Sequence, residues 1–190
     1  MKILKNRSLS IIIAAVVCVL TLLIGVHLSI GRQVKAIENS FFTGVEYDGY
    51  VHPSIADQLA DRADAALGII SITSGYDSLS EETDDLRNAR EQLLNTDKDE
   101  IYRLYKANEE LQKAYEKLLS AVGSAELDES NEPAMESYTG TMDGAQNLIR
   151  SSGYNNAVSE FERSVLRSFP VSILRYPAFA GSPEFFGAEG

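Results

Sequence analysis

A serine, threonine or cysteine nucleophile needs a base within hydrogen-bond reach, and this chain offers few. Its two histidines are His27, inside a long apolar run, and His52, in a segment broken by Gly and Pro. The single cysteine, Cys18, also lies in the apolar run, so no intramolecular disulfide can form. Serines are plentiful, but none stands in a G-x-S-x-G pattern. Zinc would need clustered Cys and His, and neither a P-loop nor a dinucleotide fingerprint occurs. "SGYDS" and "SSGYNN" contain Gly without phosphate-cradling spacing. No residue is assigned as catalytic, cofactor-binding or metal-binding; the chain is read as a non-enzyme with no cofactor.

Three other groups have side chains suited to binding. The first is a pair of acidic clusters, Glu81, Glu82, Asp84 and Asp85, then Asp97, Asp99 and Glu100. Carboxylates bind Ca²⁺, but the EF-hand pattern is missing. Both clusters fall where helices should begin, where negative charge suits the helix dipole, and they are read as solvated helix starts. The second is Asn155 and Asn156, placed inside an expected helix. Asn is unfavourable there unless it hydrogen-bonds, so the pair is read as a polar contact within a helical bundle, with a partner groove as the alternative. The third is the aromatic ending, with Tyr176, Phe179, Phe185 and Phe186 as a candidate interaction surface. That much apolar surface needs cover. It folds back over the bundle end, or docks on the bilayer or on another protein; a domain this small gains from every apolar residue it buries, which favours folding back.

The elements that must position these groups read as helices. "LSIIIAAVVCVLTLLIGVHLSI", Leu9–Ile30, carries no formal charge. At about 1.5 Å per residue it spans roughly 33 Å, close to a hydrocarbon core of about 30 Å. It is longer than a signal-peptide core and no small-x-small cleavage site follows, which points to an uncleaved anchor. Lys2, Lys5 and Arg7 precede it, while Arg32 and Lys35 follow, a bias toward a cytoplasmic N-terminus. His27, near the outer end, is read as an interfacial side chain reaching headgroups, with a functional intramembrane His as the alternative.

Helical spacing continues through Val34, Ile37 and Phe41, and "TGVEYDGYVHPS" breaks it. No stretch shows strand alternation with hairpin turns. Ser54 and Asp57 approach a capping box before Ile55, Leu59, Ala63, Ala66 and Ile70. Leu79, Leu86, Ala89 and Leu93 keep the same period, either as a new helix capped by Ser80 or as one helix running through with a kink near Gly75. Asp97 and Glu100 stand at capping-box spacing before a long apolar face, Ile101 to Val122. "GSAELDESNEP" is a linker, and Pro133 suits a first helical turn. From there one helix should run to about Ser168, stopped by Pro170. Its stripe of Tyr154, Val158, Phe161, Val165 and Phe169 would pack against the helices beginning at Ser54 and Asp97.

Charge is unevenly placed. Three of the 17 Lys and Arg precede the apolar run and all 28 Asp and Glu follow it, so the stretch from Gly31 onward has 14 basic against 28 acidic residues. Nucleic acid, with its phosphate backbone, is excluded as a general partner, as is broad binding to anionic membranes.

The residues "YNNAVSEFERSVLRSFP" and the closing "PEFF" resemble the LemA family of bacterial membrane proteins. The resemblance rests on Tyr154, Asn155, Ala157, Val158, Phe161, Phe169, Pro170, Glu184, Phe185 and Phe186, and in "IADQLADRADAALGIISITSGY" on Ile55, Gln58, Leu59, Arg62 and Tyr76. The chain departs from the family at Ala66, Leu67 and Gly68, where a Pro-Asn pair is usual, and at the break from Asp48 to Ser54. The resemblance implies a single-span protein with a helical extracytoplasmic domain, without an established enzymatic activity or agreed functional residues.

The expected protein is therefore all-α: an N-terminal transmembrane helix followed by an antiparallel bundle of three to four long helices. Its expected parts are a basic flank over 1–8, the anchor over 9–30, a juxtamembrane helix and loop over 31–53, a bundle domain over 54–170 and an aromatic tail over 171–190. It should sit as a single span in a bacterial plasma (inner) membrane, N-terminus cytoplasmic, C-terminal domain outside. The expected role is an interaction or scaffold module with an envelope protein partner, and the alternative is a sensor binding a small ligand or peptide in a bundle crevice.

Overall fold

The computed structural model describes residues 7–47, 49–125 and 127–187. Lys2, Lys5, Asp48, Glu126 and the last three residues, to which several of the expectations above refer, lie outside the described residues. The described residues are mostly helical, 75% of them in helix. It divides into two compact units: residues 1–39 with 156–183, and residues 40–155 with 184–190.

Helix α1 runs from Arg7 to Thr43 without a break. It ends at Gly44, whose φ of +80° suits the left-handed turn that closes a helix. A Cβ there would lie 2.4 Å from the His52 carbonyl oxygen, so only Gly fits. The break that follows is not plain loop. Val45–Tyr47 (β1) pairs antiparallel with Tyr50–His52 (β2), in the register Val45↔His52, Glu46↔Val51, Tyr47↔Tyr50. Three-residue strands are too short to show alternation, and the usable signal was the Asp-Gly pair between them.

Four helices follow in the second unit: α2 Ile55–Thr73, α3 Ser80–Asn95, α4 Ile101–Val122 and α5 Glu132–Arg150. Helix α2 packs against α5 and α3, and α3 against α4. Ser54 caps α2 as its spacing implies, accepting from the Asp57 N–H at 2.9 Å. Ser80 does not cap α3. A 3₁₀ turn, Asp77–Leu79, leads into that helix and makes Ser80 its first residue. Asp97 and Glu100 form a turn instead of a capping box: the Glu100 N–H donates to the Asp97 carbonyl at 3.1 Å. Pro133 lies in the first turn of α5, where its missing N–H costs nothing.

The expected final helix is interrupted. Helix α5 stops at Arg150, and Gly153 turns the chain at φ +73° before α6, Tyr154–Phe161. A π-helical turn follows over Glu162–Leu166. Its wider pitch breaks the steps of three and four. Tyr154, Val158 and Phe161 are buried, but Leu166 takes the next core position, Val165 is only half-buried, and Phe169 is 82% exposed.

In the first unit Phe161 and Leu166 pack with Ile30, joined by Val26, Val34, Ile37, Val165, Val171 and Ala180. This part of the stripe packs on α1, whereas the sequence pattern set it against the helices beginning at Ser54 and Asp97. Helix α7, Val171–Leu174, and the segment to Ala180 fold back onto the same cluster.

Candidate functional site

Arg62 is the first residue the sequence reading undervalued. It falls on the buried face of α2 and is fully buried. Its guanidinium donates to the side-chain carbonyls of Asn108 and Gln112 on α4 and of Gln146 on α5. Asn108 in turn donates to Gln146 at 3.2 Å. No carboxylate hydrogen-bonds the cation among the described residues, and Nε meets no acceptor. Burial pushes the Arg62 pKa down to about 10, while Tyr115, Asp143 and Glu109 nearby favour the charge. Tyr115 is also buried, which raises its phenol well above the usual value, reinforced by Asp143. Three amides around a guanidinium cannot neutralise it, but they accept from both of its terminal nitrogens in one geometry. The signal was present: Arg62 and Gln146 interrupt apolar stripes at core spacing.

The expected tail surface separates into two environments. Phe186 is buried in the second unit, its ring 5.5 Å from Phe41 and 5.6 Å from Tyr105. Phe41 also meets Tyr154, at 5.6 Å. Phe185 is half-buried. Asn155 holds this segment as a second backbone would: its Nδ2 donates to the Phe186 carbonyl at 2.9 Å, and its Oδ1 accepts from the Phe186 N–H at 3.0 Å. The Tyr154 hydroxyl donates to the Glu184 carbonyl at 2.8 Å, and the Glu184 carboxylate accepts from the Tyr102 N–H at 3.1 Å. Asn155 is thus a polar clamp on the chain end, not a bridge between long helices. Asn156 is exposed.

Tyr176 and Phe179 behave oppositely. In the first unit they are 67% and 87% exposed, and Ile173 and Phe169 of the same unit are exposed too. Phe179 has φ +53°, rare for a residue with a side chain, and Ala178 before it is buried. His27 does not simply reach outward: its Nδ1–H donates to the Ala178 carbonyl at 2.9 Å, fastening this segment to α1.

The first acidic cluster, and Glu100 of the second, pair with cations of the same unit. Lys117 on α4 meets Asp85 at 2.8 Å and Glu81 at 3.2 Å, and these bonds raise its pKa. Arg87 pairs with Asp84, and Arg103 with Glu100 at 2.8 Å. Beside Lys117 a shallow groove of about 340 Å³ runs between α3 and α4, bordered by Asp85, Gln92, Glu110 and Lys113. No cluster of three metal-ligating side chains occurs among the described residues.

No family model, curated protein or solved structure matches this chain.

Proposed function

We propose that this protein is a membrane-anchored, non-enzymatic helical interaction module of the bacterial cell envelope, of the LemA type. The observation that carries the reading is the bareness of α1. The helix is long and apolar enough to cross a membrane. Between Ile11 and Leu28 most of its large apolar side chains, Ile11, Val17, Leu22 and Ile24 among them, are more than half exposed, so the fold leaves them uncovered. Lipid is the solvent that suits such a surface. Helices α2 to α5 then form an antiparallel bundle on the exported side, with α1 in the plasma membrane and its N-terminus in the cytoplasm.

The buried polar groups support a binding role over a catalytic one. Arg62, Asn108 and Gln146 are closed off from solvent and spend their hydrogen bonds on one another. Partner contacts fall to the exposed face of the second unit, where Tyr50 and Val51 of the hairpin are 73% and 80% exposed. Photo-reactive residues at Tyr50 and Val51 in the full chain, in its own membrane, test this. A discrete, reproducible protein adduct is expected. Adducts only within the chain would overturn the interaction reading and favour a crevice sensor.

A further inference from the structure

Four large apolar side chains of the first unit have no cover: Phe169, Ile173, Tyr176 and Phe179, each at least 63% exposed. Four uncovered apolar side chains within eleven residues of a folded unit mark a contact surface, and three features say what touches it. The first is continuity. His27 holds Ala178 to α1, and Ala180 packs in the cluster with Ile30. From Leu9 to His27 the helix rises about 27 Å, so if Leu9 enters a hydrocarbon core of about 30 Å, the Ala178–Phe179 segment is fastened where that core ends. The second is composition: aromatic side chains with one polar end are the residues that settle at a membrane–water boundary, and Tyr176 has its hydroxyl bonded by Arg175 at 2.9 Å. The third is charge. Residues 31–39 and 156–183 hold Arg32, Lys35, Arg163, Arg167 and Arg175 against Glu38, Glu160 and Glu162, whereas the other unit has nine basic and 25 acidic residues. After the apolar run, the positive excess thus falls in the segments that adjoin the lipid-facing helix.

We propose that Phe169–Ala180 is a second membrane contact, in which Phe169, Ile173, Tyr176 and Phe179 enter the interface of the bilayer crossed by α1 while the flanking Arg and Lys side chains face anionic headgroups. Phe179 is directed outward by a left-handed backbone that a buried neighbour, Ala178, holds in place. The proposal rests on the anchor reading of α1.

The chain contains no Trp, so a single introduced indole reports alone. Full-length chains carrying Phe179→Trp, Tyr176→Trp, Leu22→Trp or Val51→Trp are reconstituted in phosphatidylcholine–phosphatidylglycerol vesicles, with and without brominated acyl chains. The Val51→Trp indole, on the exposed hairpin of the other unit, is the reference. The Phe179→Trp and Tyr176→Trp indoles should emit further to the blue than the reference and lose several-fold more emission to brominated lipid. If Leu22→Trp is quenched while both tail indoles behave like the reference, the second contact is overturned and the anchor stands. Protein adducts at Tyr176 in native membranes would then name what covers the patch instead. If Leu22→Trp itself escapes quenching, the anchor reading fails and the second contact fails with it.

Discussion

At the scale of single residues, Arg62 and Tyr115 are the informative pair. Arg62 holds a full charge inside the second unit with amides as its hydrogen-bond acceptors. Arg62→Ala should cost about 2–4 kcal/mol, from lost packing and from the Asn108 and Gln112 acceptors left without their donor. Urea unfolding of the detergent-solubilised chain, followed by circular dichroism, measures it. Replacing Arg62 by Met together with Asn108 and Gln146 by Leu should recover most of that loss, because no fully buried polar partner is then stranded and half-buried Gln112 can turn to water. If the triple variant is as unstable as the single one, packing and not polar satisfaction sets the cost. Tyr115 gives the pH dependence. Its phenol is raised in the folded state from an ordinary value near 10, so folding is supported below pH 10 and loses support as pH climbs above it. The buried Arg62, lowered to about 10, acts with the opposite sign over the same range, since the unfolded chain keeps its proton longer. Tyr115→Phe should therefore remove an alkaline loss of up to about 1.4 kcal/mol per pH unit, seen as a smaller drop in urea midpoint between pH 9 and about pH 11.

At the scale of elements, close contacts decide how the helices seat. Gly68 on α2 lies under the Tyr138 ring of α5, where a Cβ would approach ring carbons to 2.4 Å. Gly68→Ala should push the ring away and destabilise by about 1–3 kcal/mol, while Gly68→Ala combined with Tyr138→Ala should relieve the clash. In the first unit the π turn fixes which side chains are core. Phe161→Ala should cost about 3 kcal/mol or more, but Phe169→Ala less than about 0.5 kcal/mol, in the same unfolding experiment. Much of this was legible. Helices α2, α4 and the start of α5 follow their apolar periods, and Ser54 announces α2. The hairpin was not, because three-residue strands carry almost no pattern. The break at Gly153 and the π turn were not either, since an uninterrupted stripe gives no sign of where an extra residue enters a turn. Among candidate site residues, Tyr176 and Phe179 lie outward as an interaction surface requires. Phe186 and Asn155 could not be told from them, because their partners are 30 or more residues away in the chain.

At the scale of the whole molecule, the chain end is a structural part of the second unit. Glu184 and Phe186 accept or donate bonds from Tyr154, Asn155 and Tyr102, and Phe186 completes an aromatic cluster with Phe41 and Tyr105. Truncation after Pro183 should lower stability by about 3–5 kcal/mol, comparable to losing a buried Phe, and melting temperature in detergent reads it directly. The central claim, however, is that α1 places the acidic helical domain across a membrane from its N-terminus. Ser130 stands exposed just before α5. In a Cys18→Ala background, Ser130→Cys becomes the only thiol in the chain. An impermeant thiol reagent should label it in intact cells as fully as after lysis; labelling only after lysis would put the domain in the cytoplasm and contradict the account.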